Sequence, residues 1–310
     1  MRIGLIDVDG HHFPNLALMR ISAWHKAAGD QVEWWWSDFI HYDIVYKSKV
    51  FSDAYSNDVS DPMNADKVLK GGTGYCIYLG EDGMEHFDAS KNFNLPDEVE
   101  AMFPDYSIYP EHSFAISMTS RGCPRGCTFC HVAAKDGRRS HQVAEVKDFW
   151  NGQGEIVVLD PNITACPNKH ELFDQYRRTG ALIDFSQGLD IRLLTEKDID
   201  DVNQLRLKEL HWAWDNPEED LEDLFRYFKK RFRRSSHPGM VYCLTNFGST
   251  MEQNLHRIYT LRDLGYDPFV MIYDKPNAPQ EIKDLQRWCN NKFVFKKTPR
   301  FEDYVPTRDQ

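Results

Sequence analysis

A strand-then-helix alternation, repeated six times between residues 113 and 280, constrains this chain more than any other feature. The apolar runs are "SFAISMTS" (113–120), "EIVVLDPN" (155–162), "LIDFSQGLDIR" (182–192), "ELHWAWDN" (209–216), "GMVYCLTN" (239–246) and "DPFVMIYD" (267–274). Helical segments such as "KHELFDQYRRTG", "LEDLFRYFKKRFRR" and "MEQNLHRIYTLRDLG" follow several of them. In the second of these, Leu221, Leu224, Phe225, Phe228 and Phe232 predict an apolar stripe. Strands joined through helices lie parallel, with helices covering the sheet. Six such units predict an α/β fold of the partial (β/α)6 barrel type over 113–280, with functional residues at the C-terminal strand ends. Residues 281–310 read as a C-terminal helix and tail.

A smaller set of elements precedes this series. "RIGLID" (2–7), "QVEWWW" (31–36) and "DIVYKS" (43–48) read as strands. Asn15 predicts a helix cap, with the helix running to about Gly29 and Leu16, Met19, Ala23 and Ala27 on one face. "KGGTGY" (70–75) reads as a glycine turn. Together they predict a small Rossmann-like α/β domain over 1–90. Residues 91–112 contain three prolines, several acids and little periodicity, and read as a wrapped linker.

The chain has 310 residues, of which 41% are hydrophobic, enough for a sizeable core. Its net charge of −11 argues against broad nucleic-acid binding, which needs an excess of Lys and Arg. "KKRFRR" (229–234) and "GRRSH" (137–141) are basic, but such runs commonly form a solvated face. No apolar run approaches membrane-spanning length. The start, "MRIGLIDVDG", lacks the long apolar stretch and cleavage site of a secretory signal. The expected location is cytoplasmic, where thiols stay reduced. Seven cysteines then read as metal or catalytic ligands plus buried singles.

Three of them lie together in "SRGCPRGCTFCH" (120–131), at Cys123, Cys127 and Cys130. This Cys-x3-Cys-x2-Cys loop follows the first strand of the series. Gly122 and Gly126 allow unusual dihedrals and close approach of N–H groups to sulfur. A structural zinc site closes with four ligands, and an iron–sulfur cubane commonly takes four cysteines. Three leave one metal position open. His131 could complete a Cys3His zinc knuckle, but it adjoins Cys130 and reaches the same metal only with difficulty. Core cysteines without a metal would not cluster on a Gly/Pro loop.

With Phe129 before the last cysteine, the loop resembles the CxxxCxxC signature of the radical S-adenosylmethionine superfamily. Strand order carries the likeness from 113 to about 280, but only the loop is highly specific. The resemblance implies a [4Fe–4S] cluster on the three thiolates and S-adenosylmethionine chelated at the open iron. It further implies reductive cleavage to a 5′-deoxyadenosyl radical, hydrogen abstraction from a substrate, and an electron donor such as flavodoxin or ferredoxin.

Strand ends supply the candidates for holding that cofactor: Phe129 on the loop, then Asp160, Asn162, Gln187, Asp190, Arg192, Asp215, Thr245 and Asn246. The Arg192 guanidinium is suited to a carboxylate. Tyr273, Asp274 and Cys166 are candidate catalytic groups. Each Asp and Asn is also an ordinary cap or turn residue. The superfamily's Gly-Gly-Glu stretch is not evident after the second strand.

The segment "LIDVDGHHFPNLALMRISAWHKAAGDQV" resembles the start of the cobalamin-binding domain found before some radical S-adenosylmethionine barrels. The Asp-x-His-x-x-Gly loop of that domain is broken here, because Phe13 and Pro14 follow His11 and His12. The expectation is a domain of that shape without cobalamin. The alternatives are a cobalamin-dependent radical methyltransferase and a non-catalytic, metal-stabilised binding protein.

Overall fold

The computed structural model describes residues 1–306 apart from Ser235 and His237. Residues 307–310, the end of the expected 281–310 tail, lie outside the described residues. The chain divides into two compact units, Met1–Pro161 and Asn162–Gln310.

The first unit contains β1 (Arg2–Asp7), α1 (Leu16–Ala27), β2 (Gln31–Trp34), β3 (Tyr42–Ser48) and β4 (Ala65–Gly71). Then come β5 (Ile77–Leu79), β6 (Glu85–Phe87), α2 (Asp97–Glu100), β7 (Ala115–Ser117), β8 (Ser120–Arg121), α3 (Val132–Asp136), β9 (His141–Gln142) and β10 (Glu155–Val158). The second unit contains α4 (Lys169–Thr179), β11 (Leu182–Leu189), α5 (Glu196–Gln204), β12 (Leu207–Ala213), α6 (Glu222–Arg231) and β13 (Met240–Thr245). It ends with α7 (Met251–Asp263), β14 (Asp267–Ile272), α8 (Gln280–Asn290) and α9 (Lys292–Lys297).

The fold is α/β. One parallel sheet has four strands in the order β2-β1-β3-β4, and the other has six in the order β14-β13-β12-β11-β10-β7. No closed barrel is formed among the described residues.

In the first unit β1 is buried along its middle, as a strand covered on both faces must be. Ile3 pairs with Ile44 of β3, and Leu5 with Trp34 of β2. Asn15 caps α1 as expected, its Oδ1 accepting from the Leu18 N–H at 3.2 Å. The expected face of α1 is borne out in part: Met19 is buried, and Leu16 and Ala23 are half-buried. Leu18, Met19, Arg20, Ile21, Ser22 and His25 are buried, whereas Ala27 is exposed. The polar members of that face have partners: Arg20 pairs with Glu100, Ser22 donates to Asp105 at 2.6 Å, and His25 meets Asp30 at 2.6 Å.

The 91–112 segment is a structural part of this unit. Its Val99, Ile108 and Tyr109 share one core with Ile3, Leu18, Met19, Ile116 and Val157. This explains why the contact boundary falls at 161 and not at the linker. The expected glycine turn is partly strand, because β4 runs to Gly71 before a 3-10 turn at Thr73–Cys76.

In the second unit α6 carries the expected apolar stripe with one exception. Phe225, Phe228 and Phe232 are buried, as is Leu221 before the helix, but Leu224 is 38% exposed. Phe228 meets Trp212 of β12 edge-on at 4.6 Å. Gly180 ends α4 in the left-handed conformation, the usual stop for a helix. Among the described residues no helix is long and apolar enough to cross a membrane.

Candidate functional site

The cysteine loop belongs to the first unit, and its ends are tied together. β8 and β9 pair antiparallel, Ser120 opposite Gln142 and Arg121 opposite His141. The Val143 N–H donates to the Thr119 carbonyl at 2.8 Å, and the Cys123 N–H to the Gly137 carbonyl at 3.1 Å. The Cys130 N–H closes a turn onto the Cys127 carbonyl at 3.0 Å.

Two glycines make this folding possible. Gly122 has φ 84°, and a Cβ there would collide with the Arg139 carbonyl. Gly126 has φ 58°, and a Cβ there would come within 2.7 Å of the Arg138 guanidinium. Both backbones are in the left-handed region that L side chains rarely adopt. The glycines are therefore used to close the loop on itself.

Three neighbouring elements brace it. Arg121 donates to Glu100 of α2 at 3.0 Å, and Glu100 also pairs with Arg20 of α1. Lys135 of α3 donates to Thr73 Oγ1 at 2.8 Å. The His131 ring stacks with Phe87 of β6 at 6.2 Å, with Nε2 3.9 Å from Glu85. Sequence reasoning missed Glu100, Glu85 and Thr73, since nothing local pairs them with a loop dozens of residues away.

Cys123 and Cys127 are half-buried and Cys130 is exposed. Phe129 is half-buried. Three cysteine sulfurs are soft donors of the kind an iron–sulfur cluster takes, and they lie at least partly open to solvent on a loop whose backbone is fixed by other contacts.

Asp160, beyond the end of β10, also belongs to this unit. Its carboxylate accepts from the Thr119 N–H at 2.6 Å, the Thr119 hydroxyl at 2.8 Å and the Ser120 hydroxyl at 2.5 Å. Burial pushes its carboxyl up to about 6, against the lowering effect of these donors.

The second unit holds the remaining candidates at its strand ends. Asn162 accepts from the Thr164 hydroxyl at 2.6 Å, and Thr164 in turn accepts from the Asp190 N–H at 3.1 Å. Arg192 is half-buried and donates to Asp190 and Glu219, each at 2.6 Å. Gln187 is exposed within β11 beside a register shift. Thr245 is buried and donates to the Met271 carbonyl at 3.0 Å, and Asn246 donates to the Tyr273 carbonyl at 2.7 Å. The Tyr273 ring meets Phe247 at 4.8 Å. Asp274 accepts from the Asn277 amide at 3.0 Å. Cys166 is buried after a 3-10 turn.

Asp215 is half-buried and accepts from the Leu244 N–H at 3.1 Å. Burial pushes its carboxyl up to about 6, and the Arg257 charge opposes this. Arg257 of α7 is 1% exposed. Its guanidinium donates to the carbonyls of Trp214 at 2.6 Å, Asp215 at 3.0 Å and Leu244 at 2.9 Å, and to Asn254 Oδ1 at 2.7 Å. It ties together the C-terminal ends of β12 and β13. A lone arginine in a helix gives no sequence signal of such a role.

Asp215 makes stability depend on pH. Its carboxyl in the folded chain lies above the ordinary value of 3.8, so the native state binds the proton more tightly than the unfolded state. The stability this contributes is complete below about pH 4 and is lost as pH rises through about 6. Asp215→Asn is expected to flatten that loss and to raise stability at pH 7 by up to about 3 kcal/mol. Urea midpoints of both proteins at pH 4.5 and pH 7 check this. Parallel pH dependence in the two would refute it.

Elsewhere in the first unit, ligand-type atoms of His41, Asp43 and Asp66 lie within 4.8 Å of one another, with two of the three residues exposed. Asp43 already accepts from the Arg2 N–H at 2.5 Å.

No family model matches this chain, and no curated protein matches it.

Proposed function

We propose that this protein is a radical S-adenosylmethionine enzyme, with a [4Fe–4S] cluster held by Cys123, Cys127 and Cys130. The observation that carries the proposal is the Cys-x3-Cys-x2-Cys loop, directly after β7 and closed by Gly122 and Gly126. The parallel order of the six-stranded sheet supports a partial (β/α)6 barrel of the kind these enzymes use. When bound, such a cluster supplies an electron that cleaves the sulfonium of S-adenosylmethionine and starts hydrogen abstraction from a substrate.

The chain's own residues bind and orient. The three thiolates leave one iron open for the amine and carboxylate of the cofactor. On the loop, Phe129 is the side chain proposed to lie beside the cofactor; Asn162, Gln187, Asp190, Arg192, Asp215, Thr245 and Asn246 are cofactor-binding candidates on their strand-end positions in the sequence alone. Arg192 would exchange one carboxylate partner for the cofactor's own. Tyr273, Asp274 and Cys166 are the groups proposed for later proton or hydrogen steps. A flavodoxin or ferredoxin in a reducing cytoplasm is the proposed source of electrons.

Two features favour this reading over a cobalamin-dependent methyltransferase. Phe13 and Pro14 interrupt the Asp-x-His-x-x-Gly cobalamin loop after His11, whose ring packs 4.1 Å from the Trp34 ring. The Asp9 carboxylate is engaged by the N–H groups of Val50 at 2.5 Å and Phe51 at 3.3 Å.

Anaerobic reconstitution is the test. About four iron and four sulfide per chain are expected. S-adenosylmethionine should change the electron paramagnetic resonance spectrum of the dithionite-reduced protein, and 5′-deoxyadenosine should form slowly. Zinc in place of iron, or an unchanged spectrum with no cleavage product, would defeat the proposal.

A further inference from the structure

We propose that Asp160 is a positioning residue that fixes the neck of the cysteine loop, and that it does not contact the cofactor. The inference rests on the cluster reading above and names how that site is held in shape.

The geometry is specific. Asp160 sits two residues beyond β10, and β10 pairs in parallel with β7, Val158 opposite Ser117. The carboxylate therefore lies across from Thr119 and Ser120, the residues that lead from β7 into the loop. A carboxylate offers about four lone-pair sites. Thr119 N–H, Thr119 Oγ1 and Ser120 Oγ take three. Asp160 is 2% exposed, and Thr119 and Ser120 are fully buried. All three donors come from two adjacent residues, so the carboxylate fixes the Thr119 backbone and both side chains. Ser120 then pairs with Gln142, and Thr119 receives the Val143 N–H, which closes the loop at its other end. Cys123 follows three residues later. The buried Asp160 carboxylate is thus turned onto the neck, and its hydrogen bonds go to Thr119 and Ser120.

Truncation removes the acceptors altogether. In Asp160→Ala the Thr119 N–H and the hydroxyls of Thr119 and Ser120 lose their shared partner away from water. The neck loosens while the strand pairing around it stays.

The experiment uses the full chain in two states. In the apo protein, the rates at which Cys123, Cys127 and Cys130 react with a disulfide reagent are measured residue by residue by mass spectrometry. In the reconstituted protein, iron release to a chelator and the electron paramagnetic resonance signal of the reduced cluster are followed. Asp160→Ala is expected to change the relative thiol rates at least about threefold, to speed iron release about tenfold and to broaden the cluster signal, with circular dichroism retained. Ser120→Ala is the milder variant should Asp160→Ala not fold, and is expected to shift the same readouts in the same direction. Adding Asp160→Ala to Ser120→Ala should give less than the sum of the two effects, as for groups in one network.

A general loss of stability would lower the urea midpoint without altering relative thiol rates or signal shape. Unchanged thiol rates and iron release in both variants would overturn the assignment. Wild-type protein without iron would defeat the cluster reading, yet the apo-protein thiol rates would still decide the role of Asp160.

Discussion

Replacing Cys123, Cys127 or Cys130 by alanine, one at a time, is expected to reduce bound iron to under about a tenth of the wild-type value after anaerobic reconstitution. Each thiolate would hold a different iron, and a cubane with two protein ligands is not retained through purification. The remaining cysteines are poor substitutes. Cys243 lies inside β13 with no exposure, and burial pushes its thiol up to about 12. Burial raises the thiols of Cys76 and Cys289 as well. A thiolate is the ligand form, so raised thiols bind metal weakly. Cys243→Ala serves as the control and should keep its iron. Wild-type iron and visible absorption in all three loop variants would show that the metal centre lies elsewhere.

Arg257→Leu is expected to destabilise the protein by about 3–5 kcal/mol, the range for removing one partner from a buried charged network. The loss has two parts. The carbonyls of Trp214, Asp215 and Leu244 and the amide oxygen of Asn254 each lose a charge-assisted donor away from water. The Asp215 carboxyl also loses the positive charge that opposes its upward shift. Arg257→Lys should recover only a minor part, because one ammonium cannot reproduce the planar fork. Urea titration of the full chain, followed by circular dichroism, checks both. A loss below about 1 kcal/mol for the leucine variant would mean that the strand ends are held by other contacts.

Much of the fold could be read from the sequence because the inner strands are apolar throughout. "RIGLID", "EIVVL" and "GMVYCLT" have no second interpretation at their length, and the helices between them fix the sheet as parallel. Asn15 was legible as a cap because a side-chain oxygen before an apolar periodic run has few other uses. The same approach fails where burial and polarity part company. The buried face of α1 includes Arg20, Ser22 and His25, each satisfied by a partner distant in sequence or at a turn, so the apolar residues alone place Met19 correctly but not the centre of the buried face. β4, "ADKVLKG", is an edge strand with three charged residues and no buried position, so it lacks the apolar run that marked the inner strands.

The site divides along the same line. The cysteine loop is a local pattern, and its three sulfurs and two glycines are adjacent in sequence. The groups that hold it, Glu85, Glu100 and Asp160, act through space and carry no local signal. Asp160 was legible as a strand-end acid, but its role depends on Thr119 and Ser120 of a strand some forty residues earlier. Arg257 was not legible at all, because an arginine on a helix usually faces water.

The division at Pro161 has a consequence for how the chain is made. Ribosomes add roughly 5–20 residues per second, and N-terminal units tend to fold first. Cys130 is joined to the chain before half of the 310 residues have been added. Thr73, Glu85, Phe87 and Glu100 precede the loop, and Asp160 is the last of its supports to be synthesised. The loop thiols thus spend only a brief interval outside a folded setting, and that interval closes when residue 160 emerges. Slow codons just beyond this point would lengthen the time available for iron delivery to a finished loop on an unfinished chain.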